Sequence, residues 1–233
     1  MAPFVVAIDG PAASGKGTLA RRLAERFGLA HLDTGKLYRA TAFLALEAGV
    51  DPADPEAALA AARRVDPAIL ADPRLLGEEV ARAASVVAAI PAVRAALLAF
   101  QRNFAKSPPP LADGTRPQGA VLDGRDIGTV VCPDAAVKLF IDASPEARAE
   151  RRLRELRGRG AAAIYGDVLQ DMKERDARDS LRRVAPLAAA PDAETIDTTR
   201  LDADRVFEQA SEIIARALAE RAPAPPSRTC RGR

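Results

Sequence analysis

FVVAIDGPAASGKGTLARRL, residues 4–23, carries three signals in order. FVVAI (4–8) is a short apolar run rich in β-branched residues that ends at Asp9-Gly10, as a strand buried on both faces of a parallel sheet does. Gly10-Pro11-Ala12-Ala13-Ser14-Gly15-Lys16 then fits G-x-x-x-x-G-K, followed by Gly17 and Thr18. From Gly17 to Phe27 the pattern is helical and is closed by Gly28. A glycine-bounded turn between a strand and a helix lines backbone N–H groups around an anion, and the helix adds the positive end of its dipole. Lysine is scarce, at five of the 34 basic residues, yet one stands here as a mobile charge for the outer phosphates of a nucleotide. The hydroxyl that usually follows the lysine as a neighbour of Mg²⁺ arrives one place late, at Thr18, with Gly17 in its slot.

Beyond this loop, strands and helices alternate. KLYRATAFLALEAG (36–49) reads as a second helix after a short apolar link, and another is expected near 54–64. Residues 78–105 read as two helices broken near Pro91, and 107–119 as a Pro/Gly loop. AVLD (120–123), AVKLFID (136–142) and ETIDT (194–198) read as strands. Ser144-Pro145 opens an arginine-rich helix, a further helix covers about 167–179, and the last spans 202–221. This alternation predicts an α/β fold on a parallel sheet. The Pro-rich, basic stretch 222–233 is expected to be disordered.

Bulk properties exclude several classes. A length of 233 residues fits one large α/β domain, and a net charge of +2 provides no overall basic field for nucleic acid. Stacking aromatics are also scarce: there is no tryptophan and there are two tyrosines. No window approaches the roughly 20 consecutive apolar residues of a membrane span. The start, MAPFVVAIDGP, lacks the pattern of a signal peptide. Cys132 and Cys230 are too few for a disulfide framework and have no zinc spacing, so a cytoplasmic protein with reduced thiols is expected.

Three further segments carry charge where an α/β sheet gathers its ligands. LDTGKLYR (32–39) sets Thr34, Tyr38 and Arg39 after the first helix; Arg39 has the planar fork that grips phosphate, although a capped helix start with a surface arginine explains the same residues. LDGRDIGTVV (122–131) ends an apolar strand on Asp123, placed as an acid beside Mg²⁺ or its waters, with Arg125 and Asp126 beyond it. KERDARDSLRRVAPL (173–187) puts Arg175, Asp179 and Arg182 on one helical face; a salt-bridged solvated face accounts for that spacing equally well.

Taken in order with GPAASGKGT, these segments and AASVVAAIPAVRAALLAFQR (83–102) closely resemble the bacterial cytidylate kinases, among the nucleoside monophosphate kinases with a P-loop, from about residue 4 to about 218. The resemblance implies a three-layer α/β/α fold with a five-stranded parallel sheet, an acceptor-nucleotide insert and a helical lid. It implies a single domain over 1–221, with core segments 4–32, 120–150 and 184–221, a CMP-binding region over 33–119 and a lid over 151–168. It further implies transfer of a phosphoryl group from ATP to CMP or dCMP with Mg²⁺, by a monomer with no nucleic-acid or membrane partner. ATP is then expected on Gly10, Pro11, Ala12, Ala13, Ser14, Gly15, Lys16, Gly17 and Thr18, and Mg²⁺ near Thr18 and Asp123. CMP is expected on Thr34, Tyr38, Arg39, Ser85, Arg94, Arg125, Asp126, Arg175, Asp179 and Arg182. Lys16, Arg125, Asp126, Arg157 and Arg182 are the implied catalytic set, with Arg157 chosen among the lid arginines Arg151, Arg154, Arg157 and Arg159. Cytosine presents a donor at N4 and acceptors at N3 and O2, which an acid beside cationic donors matches, and uracil reverses that pattern at N4 and N3.

The segment 65–85 is too short and too rich in Pro and Ala for the small β-rich insert of many family members, so a reduced, helical version is expected. Lys36 adds a cation after the DTG triplet. His31, the sole histidine, reads as a surface or packing residue. Kinases for UMP, AMP, shikimate or gluconate are the nearest rivals, and LDGRD with KERDARD argues against them. A GTPase-type switch would need an N-K-x-D motif, which is absent.

Overall fold

The structure is a computed structural model that describes residues 3–221; the expected tail, 222–233, lies outside the described residues. Five parallel strands form one sheet in the order β2-β3-β1-β4-β5: β1 (Phe4–Asp9), β2 (Ala30–Asp33), β3 (Gly119–Gly124), β4 (Val137–Asp142) and β5 (Glu194–Asp197). β1 is central, and pairs Asp9 with Gly124 and Ile8 with Asp123. The strand order reverses beside β1, so the carboxyl ends of β1, β3 and β2 open onto one crevice.

Alternation along the strands builds two cores. Val6 and Ile8 of β1, with Leu139 and Ile141 of β4, bury one face against Leu19 and Leu23 of α1 (Lys16–Phe27) and Val206 and Ile214 of α8 (Ala203–Arg221). Ala7, Leu32 and Leu122 bury the other against α2 (Thr34–Glu47), α3 (Pro55–Arg63), α4 (Glu78–Val87) and α5 (Pro91–Lys106). The result is the expected three-layer α/β/α fold. Two helices, α6 (Pro145–Gly158) and α7 (Tyr165–Ser180), pack on each other around Ala149, Leu156, Val168 and Met172. This small core touches Ala12 and Ala13 of the loop after β1.

Three details differ from the sequence reading. Residues 30–33, read as a link, form β2: AHLD is too short and too poor in β-branched residues to signal a strand, and its pairing with β3 decides it. α2 begins at Thr34, two residues before the expected start at 36. Ile127–Val131 is a π-helical turn that no sequence pattern announced. The segment 65–85 is helical as expected, in two 3₁₀ turns, Pro67–Ala71 and Pro73–Leu76, that lead into α4. Asp66 and Asp72 cap those turns through their carboxylates.

The Ser144-Pro145 start of α6 is also as read: Ser144 Oγ accepts from Ala147 N–H at 3.2 Å, with Pro145 in the first turn. Ser144→Ala is expected to cost about 1 kcal/mol of stability, read from a urea midpoint at unchanged slope.

Candidate active site

The crevice holds a cleft of about 570 Å³ lined by the loop after β1, the ends of β2 and β3, and faces of α2, α4, α5, α6 and α7. Where the loop leaves β1, Gly10 has φ 150°, and a Cβ there would stand 2.1 Å from the Ile141 carbonyl oxygen of β4; only glycine fits this approach. Ala13 (φ 58°) and Gly15 (φ 94°) turn the loop into α1. Lys16 is buried, and its Nζ donates to the Pro11 carbonyl at 2.9 Å. Burial and the neighbouring Arg125 guanidinium push Lys16 down to about 7, while Asp123 pulls it up. Thr198 Oγ1 at the end of β5 donates to the Ser14 carbonyl at 3.1 Å and ties the loop to the sheet.

Beside the loop stand two carboxylates. Asp123 and Asp33 are register partners on β3 and β2, and both line the cleft. Burial raises the pKa of Asp33, and the Asp123 charge raises it further. Asp123 Oδ1 lies 2.7 Å from His31 Nε2, while Oδ2 faces Gly17, where a Cβ would sit 3.6 Å away. His31 is therefore a partner of the strand-end acid, not the surface or packing residue its sequence indicated. Two adjacent carboxylates beside a phosphate-type loop are the hard oxygen donors that Mg²⁺ takes, so the residues present fit that ion. No group of three or more His, Cys, Asp or Glu among the described residues is arranged to hold a metal, so phosphate and water oxygens would complete the shell. Thr34 Oγ1 donates to the Asp123 carbonyl at 2.8 Å and fixes α2 against β3.

The middle of the cleft is cationic. Arg39, Arg125, Arg175 and Arg182 all line it. Arg125 Nε pairs with Asp179 at 2.9 Å. Arg175 is half-buried with its Nε enclosed and unpartnered, and desolvation with repulsion from Arg125 lowers it to about 10. One terminal nitrogen of Arg182 is likewise buried without a partner. Arg39 donates to the Leu75 carbonyl at 2.9 Å. Half-buried cations that repel one another around a void, with donors left over, suit a bound polyanion.

At the far end, Arg94 pairs with Asp126 at 2.5 Å and donates to the Ala88 carbonyl at 3.1 Å; both side chains are buried. The Arg94 guanidinium lies 5.4 Å from the Tyr38 ring centre. Ser85 Oγ accepts from Arg178 Nε at 3.3 Å, a contact that sequence reasoning missed because Arg178 looked like one more charge on a solvated face. Lys36 donates to the Leu70 carbonyl at 3.1 Å and pins the 3₁₀ segment to α2.

Ala12, Ala13, Lys16 and Gly17 line the cleft together with Asp123 and all ten residues expected to hold the acceptor. Gly10, Pro11 and Ser14 are buried beneath the loop. Gly15, Thr18 and Arg157 stand apart. Gly15 and Thr18 are exposed, Thr18 one position round α1 from Gly17, and Arg157 is exposed with Nη2 donating to the Ala163 carbonyl at 3.2 Å. Among the lid arginines, Arg152 lines the cleft and pairs with Glu78 of α4. Arg151 bonds Thr198 and, at 3.4 Å, the Ser14 carbonyl. Asp33, His31 and Arg152 were missed; Asp33 alone carried a signal, an acid ending an apolar run as Asp123 does.

A family model described as "Cytidylate kinase" matches residues 6–216. A cytidylate kinase of Rhodospirillum rubrum is 59% identical over 212 residues, covering 91% of this chain and 97% of the relative. One from Paramagnetospirillum magneticum is 59% identical over 210 residues, covering 90% and 97%, and one from Granulibacter bethesdensis is 57% identical over 213 residues, covering 91% and 97%. With a phosphate loop, an arginine cluster and an Arg–Asp pair in one cleft, and with these relatives matching along nearly the whole chain, the protein belongs to the cytidylate kinase family.

Proposed function

We propose that the cleft carries the γ-phosphoryl group of ATP to CMP or dCMP, giving ADP and CDP or dCDP. The observation that carries this reading is the half-buried, partly unpartnered arginine cluster that lines the same cleft as the Gly10–Thr18 loop and the Arg94–Asp126 pair. The loop takes the ATP phosphates, with Lys16 swinging from Pro11 to the β- and γ-oxygens. Asp123 and Asp33 would hold a Mg²⁺ ion from the carboxylate side, with the Thr18 hydroxyl as a further neighbour. When bound, that ion supplies charge neutralisation on the transferring phosphates.

Arg39, Arg125, Arg175 and Arg182 take the acceptor's phosphate and hold it in line. The nucleophile is an already ionised phosphate oxygen, so no general base is required, and Asp126 is free to accept from cytosine N4 while Arg94 donates to the ring acceptors. Ser85 offers a hydroxyl to the same edge. Asp179, with one oxygen on Arg125, presents its carboxylate to a ribose hydroxyl. Tyr38 packs behind Arg94, and Thr34 orders the strand ends. Closure of α6 and α7 excludes water and suppresses hydrolysis of ATP, with Arg157 as a phosphate contact in the closed form.

The reading takes the protein as a cytoplasmic monomer that handles nucleotides, with no nucleic-acid or membrane partner. No single described helix is long and apolar enough to cross a membrane; α4 and α5 pass that test only as a pair bent by 100°.

The test is ADP release with ATP and Mg²⁺, one acceptor at a time: none, CMP, dCMP, UMP, AMP, dTMP and shikimate. Release driven by CMP and dCMP, with UMP far behind, is expected. UMP equal to CMP would overturn the roles of Asp126 and Arg94. Release independent of acceptor would overturn the transferase reading.

A further inference from the structure

Asp9 has no role in the account above, yet it ties the end of β1 to the turn that Asp126 enters. It ends β1, immediately before Gly10 of the phosphate loop, and is 3% exposed. Its carboxylate points across to the π-helical turn after β3. Oδ1 accepts from Ile127 N–H at 2.8 Å and Oδ2 from Gly128 N–H at 2.7 Å. Asp126 is the residue that enters this turn, and its own carbonyl accepts from Val130 and Val131 N–H within it. Gly128 makes the approach possible: a Cβ there would stand 3.4 Å from Asp9 Oδ2 and 3.2 Å from Lys138 Cδ.

We propose that Asp9 is a positioning residue for base selection, whose two hydrogen bonds fix the turn that aims Asp126 and Arg94 at the acceptor's pyrimidine. The proposal rests on Asp126 contacting the base. A carboxylate suits the task because it accepts from two adjacent amides at once, whereas a carboxamide offers one acceptor and turns an N–H₂ toward the other donor. Stability alone does not call for an acid here. Burial pushes Asp9 up to about 6, against an ordinary 3.8, even though the Gly128 and Ile127 hydrogen bonds pull it down, and the nearby Asp126 charge adds to the rise. A carboxyl whose folded value is raised binds its proton more tightly in the folded state, so stability is lost as pH rises from about 3.8 to about 6 and the full cost is carried at neutral pH. The charge is kept at neutral pH despite that cost, in a place where it shapes the site.

The test compares kcat and KM for CMP, UMP and ATP in the wild type, Asp9→Asn and Asp126→Asn. For Asp9→Asn the CMP-to-UMP ratio of kcat/KM is expected to fall about tenfold, chiefly through a higher KM for CMP, with KM for ATP within about twofold of the wild type. A ratio unchanged in Asp9→Asn but collapsed in Asp126→Asn overturns the proposal and leaves the reading of Asp126 intact. A ratio unchanged in both overturns the reading on which the proposal rests. Equal losses with CMP and UMP, or a KM for ATP rising as much as that for CMP, assign Asp9 a merely structural role and also overturn it. Should Asp9→Asn fail to fold, Gly128→Ala presses on the same contact from the other side and is expected to lower the ratio in the same direction; an unchanged ratio there counts against the proposal.

Discussion

Lys16→Met is expected to cut kcat by about 10³-fold while KM for ATP changes far less. The asymmetry follows from where the charge is needed. Negative charge shifts between the leaving and transferring oxygens only as the phosphoryl group moves, so the lysine contributes more in the transition state than in the bound ground state. Lys16 is well placed for that role. It stands at the start of α1 beside Asp123 and Arg125, and Met keeps its length without its charge. The fold is expected to tolerate the change, because burial already disfavours the Lys16 ammonium and pushes it down to about 7. Steady-state ADP release at saturating CMP, beside a melting curve, checks both halves. A kcat within tenfold of the wild type would remove Lys16 from the transfer step.

Arg175→Ala is expected to lower kcat/KM for CMP by about 10²-fold or more, with KM for ATP little changed. Arg175 is half-buried, carries an enclosed, unpartnered Nε and is lowered to about 10 by desolvation and by Arg125. Such a residue is a burden on the ligand-free fold and an asset only when an anion sits in the cleft. Two results should therefore separate. Stability in the absence of substrate is expected to hold or rise, whereas the extra stabilisation that added CMP gives the wild type is expected to shrink. Arg175→Lys should recover only part of the loss, since a point charge does not reproduce a two-pronged grip. A variant that loses stability and keeps its response to CMP would make Arg175 a structural residue.

The phosphate loop and the sheet were legible because a short apolar strand, glycines at fixed spacing and a following helix each have a local cause. The acid at 123 was legible for the same reason: it ends an apolar run. β2 was not, because four residues of weak strand propensity become a strand only when β3 supplies the pairing. The π-helical turn at 127–131 was hidden as well, since its geometry depends on Asp9, which lies 118 and 119 residues away from its two partners. The arginines divide in the same way. Spacing placed Arg175 and Arg182 on one face, but nothing local separated them from a solvated salt-bridge ladder. Their place in the cleft makes that distinction, and Arg152 and Arg178 line it too while Arg157 stays outside. Resemblance to a family identified Ser85 and Arg94, which sequence chemistry alone would have left on helix surfaces. His31 had no signal at all, because its partner Asp123 lies on a strand 92 residues away.

Phosphorus NMR of the purified protein with ATP, Mg²⁺ and CMP tests the central claim most directly, because it identifies where the phosphoryl group goes. Growth of the CDP resonances in step with those of ADP, with inorganic phosphate staying at baseline, is the predicted result. ADP accompanied by inorganic phosphate and no CDP would mean that the cleft hydrolyses ATP and does not transfer the group to CMP.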